Sequence, residues 1–323
     1  MAASRRKVVI AALLGNLGVA VTKFIAAALT GSSAMLSEGV HSLVDTCNQL
    51  LMLYGMHRAA RPPDVAHPFG HARELYFWAF IVALLVFAAG AGVSFYEGLV
   101  HLRDPHAMAN PTVNYVVLAV SLLFEGSSSA VALRAFRSAK GKRGWIAAVR
   151  DSKDASTFTV LFEDVAAMLG LLIALAGVIA AQVLDDPRFD GYASLGIGLV
   201  LAVTALLLAI ETKGLLLGEV AQREVNEDIL RIAGDDPDVR CANGVLTRQL
   251  GPDSIVAALS ADFHDRLTTP QIEECVLRIE HAVQRRHPAV MAVFIKPQTA
   301  ETWARRRLRW EPEQDAAPPG PVF

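Results

Sequence analysis

Along the first two thirds of the chain the apolar residues do not alternate; they run in long blocks. Each block is about 20 residues or more, enough for a helix to cross a hydrocarbon core of about 30 Å. Six such stretches are read near residues 8–29, 33–57, 75–100, 112–135, 156–183 and 191–212. Ser4-Arg5-Arg6-Lys7 ahead of the first resembles the start of a signal peptide, but the apolar run is long and lacks a small-residue cleavage site, so it is read as a retained span. After Lys213 the pattern changes to short elements with charges throughout. A helix is expected from about Arg223 to Ala233, stopped by Gly234-Asp235-Asp236-Pro237. A strand near 244–250 and an alternating one with Ile255, Ala257, Leu259, Ala261 and Phe263 on one face flank a Gly251-Pro252-Asp253 turn. A second helix opens at Thr269 and Pro270, and Val290 to Ile295 reads as a last strand. That order suits a small open sheet with helices on one face.

Composition agrees. The chain of 323 residues is 53% hydrophobic and 19% charged, which excludes a disordered or nucleic-acid-binding protein. Its net charge of -2 singles out no partner by itself. The distribution of charge says more. Lys and Arg collect at Arg5, Arg6 and Lys7, at Arg58, Arg61 and Arg73, and again at Arg134, Arg137, Lys140, Lys142, Arg143, Arg150 and Lys153, while the intervening loops are poor in them. The positive-inside rule puts both termini in the cytoplasm. The expected organisation is a six-span transmembrane domain over 1–213, a cytoplasmic domain over 214–298 and a disordered tail over 299–323 whose Arg305-Arg306-Arg307-Leu308-Arg309 run can meet anionic lipid. The cysteines Cys47, Cys241 and Cys275 have no metal-motif spacing and leave the redox compartment open.

Ionisable side chains inside a span are costly and therefore informative. The second span carries Glu38, His41 and Asp45, and the fifth carries Glu163 and Asp164. His41 and Asp45 sit four apart, on one helical face with Asn48. Alone they read either as a hydrogen-bonded packing pair or as two metal ligands. The carboxylates of the fifth span favour a cation or proton pathway, because a dication keeps clustered acids ionised. Two helices giving two donors each can build a four-coordinate site. Glu125 in the fourth span is equally a proton relay or a packing carboxyl, Lys23 and Glu97 are expected to snorkel, and Cys47 to be a packed thiol. Asp64, His67 and His71 in the loop after the second span make a second, more exposed candidate cation site.

Three segments, Ser37-Glu38-Gly39-Val40-His41-Ser42-Leu43-Val44-Asp45, His67-Pro68-Phe69-Gly70-His71-Ala72-Arg73-Glu74 and Leu161-Phe162-Glu163-Asp164, make the sequence resemble the cation diffusion facilitator family. The resemblance covers all but the ends of the chain. It implies a dimeric exporter of divalent metal in exchange for protons, with six transmembrane helices and a small α+β, ferredoxin-like cytoplasmic domain that dimerises. Family roles would fall on His41, Asp45 and Asp164 as transport ligands, and on Asp64 and His71, with His67 adjacent, as the loop site. Where many zinc-carrying members have a His, this chain has Val160, and Glu163 stands next to Asp164. A site with one nitrogen and mostly oxygen donors moves preference somewhat from zinc, which stays the first expectation, toward manganese or iron(II), with cobalt also open. Asn243, Ala258 and Glu273 stand where cytoplasmic metal ligands are often found, and Asp262, His264, His281 and His287 are expected to be solvated surface. The expected function is a proton-coupled divalent metal exporter, a homodimer in contact with membrane lipid, in a bacterial plasma (inner) membrane. The alternative is a membrane scaffold or metal sensor working through the C-terminal domain. A membrane metalloenzyme is disfavoured, since no His-Glu-x-x-His is present.

Overall fold

All six apolar stretches are helical, and the polarity of the molecule is inverted around them. The computed structural model describes residues 2–140, Gly144 and 153–310. Lys142, Arg143 and Arg150 of the expected basic loop, and the tail beyond Trp310, lie outside the described residues, as do the side chains of Arg5, Arg6 and Lys7. The chain divides into two units at Leu217/Gly218, later than the expected boundary after Lys213, because the last long helix runs on to Leu217.

The first unit contains α1 (Ala2–Thr30), α2 (Ser33–Ala59), α3 (Glu74–Leu85), a π-helical turn (Val86–Ala91), α4 (Gly92–Arg103), α5 (Pro111–Lys140), α6 (Ala155–Val183) and α7 (Arg188–Leu217). Among the described residues, Glu74–Arg103, Phe158–Val183 and Arg188–Leu217 are long and apolar enough to cross a membrane. Val21, Ile25 and Leu29 form an exposed stripe on α1, and Leu206, Leu207 and Ile210 are exposed on α7. Lys23, Glu38, His41, Asn48, Ser94 and Asn114 are buried instead. Water would reverse this arrangement, whereas lipid favours it. α2 packs against α1, α3 and α6, and α7 against α3, α4 and α6. At one crossing, a Cβ added to Gly98 of α4 would come within 2.9 Å of the Gly191 carbonyl of α7, the close backbone approach that small residues permit in membrane bundles.

A buried carboxylate ties α7 to the start of α2. Asp190 accepts from Ser32 Oγ at 2.6 Å, and from the backbone N–H and hydroxyl of Ser33, while Ser32 Oγ caps the helix by accepting from the Met35 N–H. The anion thus sits on a helix N-terminus, where free N–H groups and the helix dipole favour it. Asp190→Ala leaves these donors buried and unpaired, so it is expected to destabilise the detergent-purified chain by about 2 kcal/mol, with a smaller loss for Asp190→Asn. Thermal melting of the two variants beside wild type checks it.

The second unit contains α8 (Arg223–Gly234), β1 (Val239–Gly251), β2 (Ser254–Phe263), α9 (Thr269–Arg286), β3 (Val290–Pro297) and α10 (Ala300–Trp310). The sheet order is β1-β2-β3, with β1 antiparallel and β3 parallel to β2, so α9 is the crossover of a β–α–β unit. The expected alternation on β2 holds: Ile255, Ala257, Leu259, Ala261 and Phe263 are all buried, in one core with Ile229 and Ala233 of α8 and Cys275, Ile279 and Val283 of α9. Both helices therefore cover one face. α9 is capped by Thr268, one residue before the expected Thr269, because Thr268 shares its backbone N–H and hydroxyl with Gln271 Oε1.

Residues 300–310, expected as part of a disordered tail, form a helix. Thr299 opens it by accepting from the Thr302 N–H, and Trp303 lies over β1 at Gly244, where a Cβ would come within 2.9 Å of the indole. The compositional cue was an Arg run, but the aromatic side chain seats the segment on the sheet.

Candidate metal centre

α2 and α6 meet through their polar side chains. His41 is buried, 3.5 Å from Asp45 Oδ1 one turn later, which is too long for a good hydrogen bond. The next turn of the same face brings Asn48 to α6, where its Nδ2 donates to Glu163 Oε1 at 2.7 Å. Asp45, Glu163 and Asp164 line one cavity of about 90 Å³, together with Asn16, Ser42, Gln49, Glu125 and Val160. Glu163, expected on a face beside that of Asp164, thus faces the same space, and Val160 lines it where a His would enter.

Several donors around this cavity have no hydrogen-bond partner among the described residues: both ring nitrogens of His41, Asp45 Oδ1, Asn48 Oδ1 and Asp164 Oδ2. Buried polar atoms are normally paired, so a group of orphaned lone pairs has the chemistry of a cation site. The donors are not drawn into a single coordination sphere, since no three of the four transport candidates have ligand atoms all within 4.8 Å.

Three polar residues here were not found, or were misplaced, by sequence reading. Asn16 and Gln49 line the cavity and were passed over. Lys23 does not snorkel: it is fully buried, donating to Glu38 Oε2 at 3.0 Å, Ser42 Oγ at 2.8 Å and Glu125 Oε1 at 2.9 Å. Asn16 and Lys23 are two helical turns apart on α1, a polar spacing that could have revealed the inward face. Cys47 turns away from the His41 face as expected but is exposed on the surface rather than packed.

The loop candidates are gathered tightly. His71 Nε2 donates to Asp64 Oδ2 at 3.0 Å, and the His67 backbone N–H to Asp64 Oδ1 at 2.6 Å. His67 Nδ1 is 3.1 Å from the same oxygen, and the two imidazoles lie 4.3 Å apart, tilted by 41°. The His67 N–H, with the two rings behind it, holds the Asp64 carboxyl down at about 2. These three residues have ligand atoms all within 4.8 Å of one another.

These features, polar donors turned inward from α2 and α6 in a bundle with an apolar exterior, have a counterpart among known proteins. A family profile described as the cation efflux transmembrane domain matches residues 9–217. The chain belongs to the cation efflux family. Among its relatives, the mitochondrial proton-coupled zinc antiporter SLC30A9 of Mus musculus is 34% identical over 249 residues, 76% of this chain and 44% of that protein. Metal tolerance protein C4 of Arabidopsis thaliana is 28% identical over 242 residues, 74% of this chain and 52% of that protein. The cation-efflux pump FieF of Klebsiella pneumoniae is 27% identical over 260 residues, 80% of this chain and 81% of that pump. The chain thus spans about half the length of SLC30A9 and of the plant protein.

As a cation efflux protein it departs from expectation in the second unit. His287, expected as solvated surface, donates to Asp228 at 2.9 Å beside Arg231 and Arg286. Hydrogen bonds from Arg231 first, then His287, keep Asp228 down at about 2. Asn243 Nδ2 donates to the Gln298 carbonyl at 2.8 Å, while its Oδ1 is buried with no hydrogen-bond partner among the described residues. Asp236, Asp238 and Cys275 form a three-donor cluster that sequence reading missed. Arg278 donates to Asp236 at 3.0 Å and Asp238 at 2.7 Å, and burial, with the Asp236 carboxylate, pushes the Cys275 thiol up to about 12. A guanidinium already fills the place of a cation beside these carboxylates.

Proposed function

We propose that this protein is a secondary transporter that exports zinc or a related divalent ion, manganese, iron(II) or cobalt, from the cytoplasm in exchange for protons. The observation that carries the reading is the cavity between α2 and α6, with Asp45, Glu163 and Asp164 in its wall and, beside Asp45, a His41 that has no hydrogen-bond partner among the described residues. The names of the relatives, a proton-coupled zinc antiporter and a cation-efflux pump, support metal transport. On this reading the six helical stretches are six spans with both termini in the cytoplasm, and the second unit is a ferredoxin-like domain through which two copies dimerise. We place it in a bacterial inner membrane, a reading for which the bacterial origin of the FieF pump speaks, while the more similar SLC30A9 antiporters are mitochondrial.

Metal from the cytoplasm is bound by His41, Asp45, Asp164 and Glu163, while Asn48 holds Glu163 in place. Asp64, His67 and His71 form a second, cytoplasmic metal site. Protons and metal compete for the same lone pairs, so protonation of imidazole and carboxylates on the outer side releases the ion and couples the two fluxes. With one imidazole among oxygen donors the site suits harder ions than an all-histidine site.

Purified full-length protein in liposomes carrying a pH gradient and a lumenal metal-sensing dye tests this. Flux of at least one of the four metals is expected, and none with any of them would return the chain to the scaffold reading. Val160→His, which adds a nitrogen donor to the cavity wall, is expected to raise the zinc-to-manganese flux ratio by about tenfold. An unchanged ratio would remove Val160 from the determinants of selectivity.

A further inference from the structure

The cavity has an acid that the proposed ligand set does not use. Glu125 rises from α5 and lines the same space as Asp45, Glu163 and Asp164. Its Oε1 accepts from Lys23, while its Oε2 is buried with no hydrogen-bond partner among the described residues. Lys23 Nζ has three protons, and Glu38, Ser42 and Glu125 take all three. One ammonium therefore serves two carboxylates. Glu38 is fully buried, and a Cβ at Gly170 would run into its Oε1, so it is closed in by α6. Glu38 Oε1 is also buried and unpaired among the described residues, but of the two acids it is Glu125 that lines the cavity. A carboxylate with one oxygen on a cation and the other buried and unpaired is an incomplete arrangement.

We propose that Glu125 is a further ligand of the transported divalent cation, supplied by a third helix, and that Lys23 is the tethered cation that orients it. The inference rests on the cavity being the transport site. Lys23 spends one Glu125 oxygen and leaves the other for the cargo. Its fixed positive charge also opposes an entering cation, which keeps a site rich in carboxylates from holding metal too tightly to release it. The oxygen donor from α5 adds to those of α2 and α6 and favours a hard or borderline dication.

Glu125→Gln is the informative variant, because it keeps the shape and an acceptor for Lys23 and removes only the charge. Zinc chloride and manganese chloride binding to the detergent-purified full chain is measured by calorimetry, in an Asp64→Ala background so that the loop cluster does not contribute. Glu125→Gln is expected to bind both ions about tenfold more weakly at unchanged Tm, the size of one lost charge-assisted contact. Binding equal to that of the Asp64→Ala background, alongside loss in Asp45→Asn, overturns the ligand role of Glu125 and leaves the transport site standing. Binding unaffected by Asp45→Asn would instead take down the site itself. If Glu125→Gln also lowers Tm, Glu125→Asp decides: affinity between the two supports a ligand that has been drawn back, and unaltered affinity below its Tm overturns the proposal.

Discussion

Asp45→Ala is expected to lower metal flux in proteoliposomes by about 30- to 150-fold while leaving the melting temperature unchanged or raised. A carboxylate that binds a dication directly contributes a charge-assisted contact, and removing one such ligand costs about 2 to 3 kcal/mol or more at the point where binding limits transport. The stability half follows from the cavity wall. Asp45 shares the cavity wall with Glu125, Glu163 and Asp164, and its Oδ1 has no hydrogen-bond partner among the described residues, so removing it relieves like-charge repulsion and an unpaired buried oxygen. Asp164→Ala is expected to behave in the same way, its Oδ2 also lacking a partner among the described residues. A residue that merely held α2 in place would show the opposite pattern, a drop in Tm with proportionate loss of flux. Wild-type flux in both variants would sink the assignment of this cavity as the transport site.

Lys23→Met is expected to be among the most damaging substitutions for stability, by about 3 to 5 kcal/mol, because it removes one partner from a buried charge network and leaves the others uncompensated. Glu38 and Glu125 would then lie close together with no ammonium between them, and Ser42 Oγ would lose its donor. Adding Glu38→Gln to Lys23→Met removes the second charge and is expected to recover part of the loss, a coupling that a double-mutant cycle on Tm reads directly. A purely additive pair would show that the ammonium does not act on Glu38 as the 3.0 Å contact implies.

The physical origins of these two expectations differ in how visible they were beforehand. His41 and Asp45 were legible because four-residue spacing on a helix decides a face, whatever the helix packs against. The β2 alternation from Ile255 to Phe263 was legible for the same reason, with period two in place of 3.6. Lys23 was misread because its place along α1 is compatible with either a snorkelling or a buried ammonium; the choice depends on whether carboxylates from α2 and α5 arrive at the same depth. Glu163 was ambiguous because residues next to each other on a helix point about 100° apart, and only the shape of the space between α2 and α6 brings both it and Asp164 to one cavity. Residues 300–310 were misread because composition counted the arginines, while the contact that seats the helix on the sheet includes Trp303 over a glycine on β1.

By itself the sequence determined that the chain has six long apolar segments and a small α+β unit, and which costly ionisable groups lie within those segments, since apolar length and helical or strand period are local properties of consecutive residues. Only the tertiary structure decided which of those groups share a cavity, which are neutralised by one another, and which are left with lone pairs unspent. Those outcomes depend on contacts between residues far apart in the chain, such as Lys23 with Glu125 and Asn48 with Glu163, whose distances are set by how the helices pack.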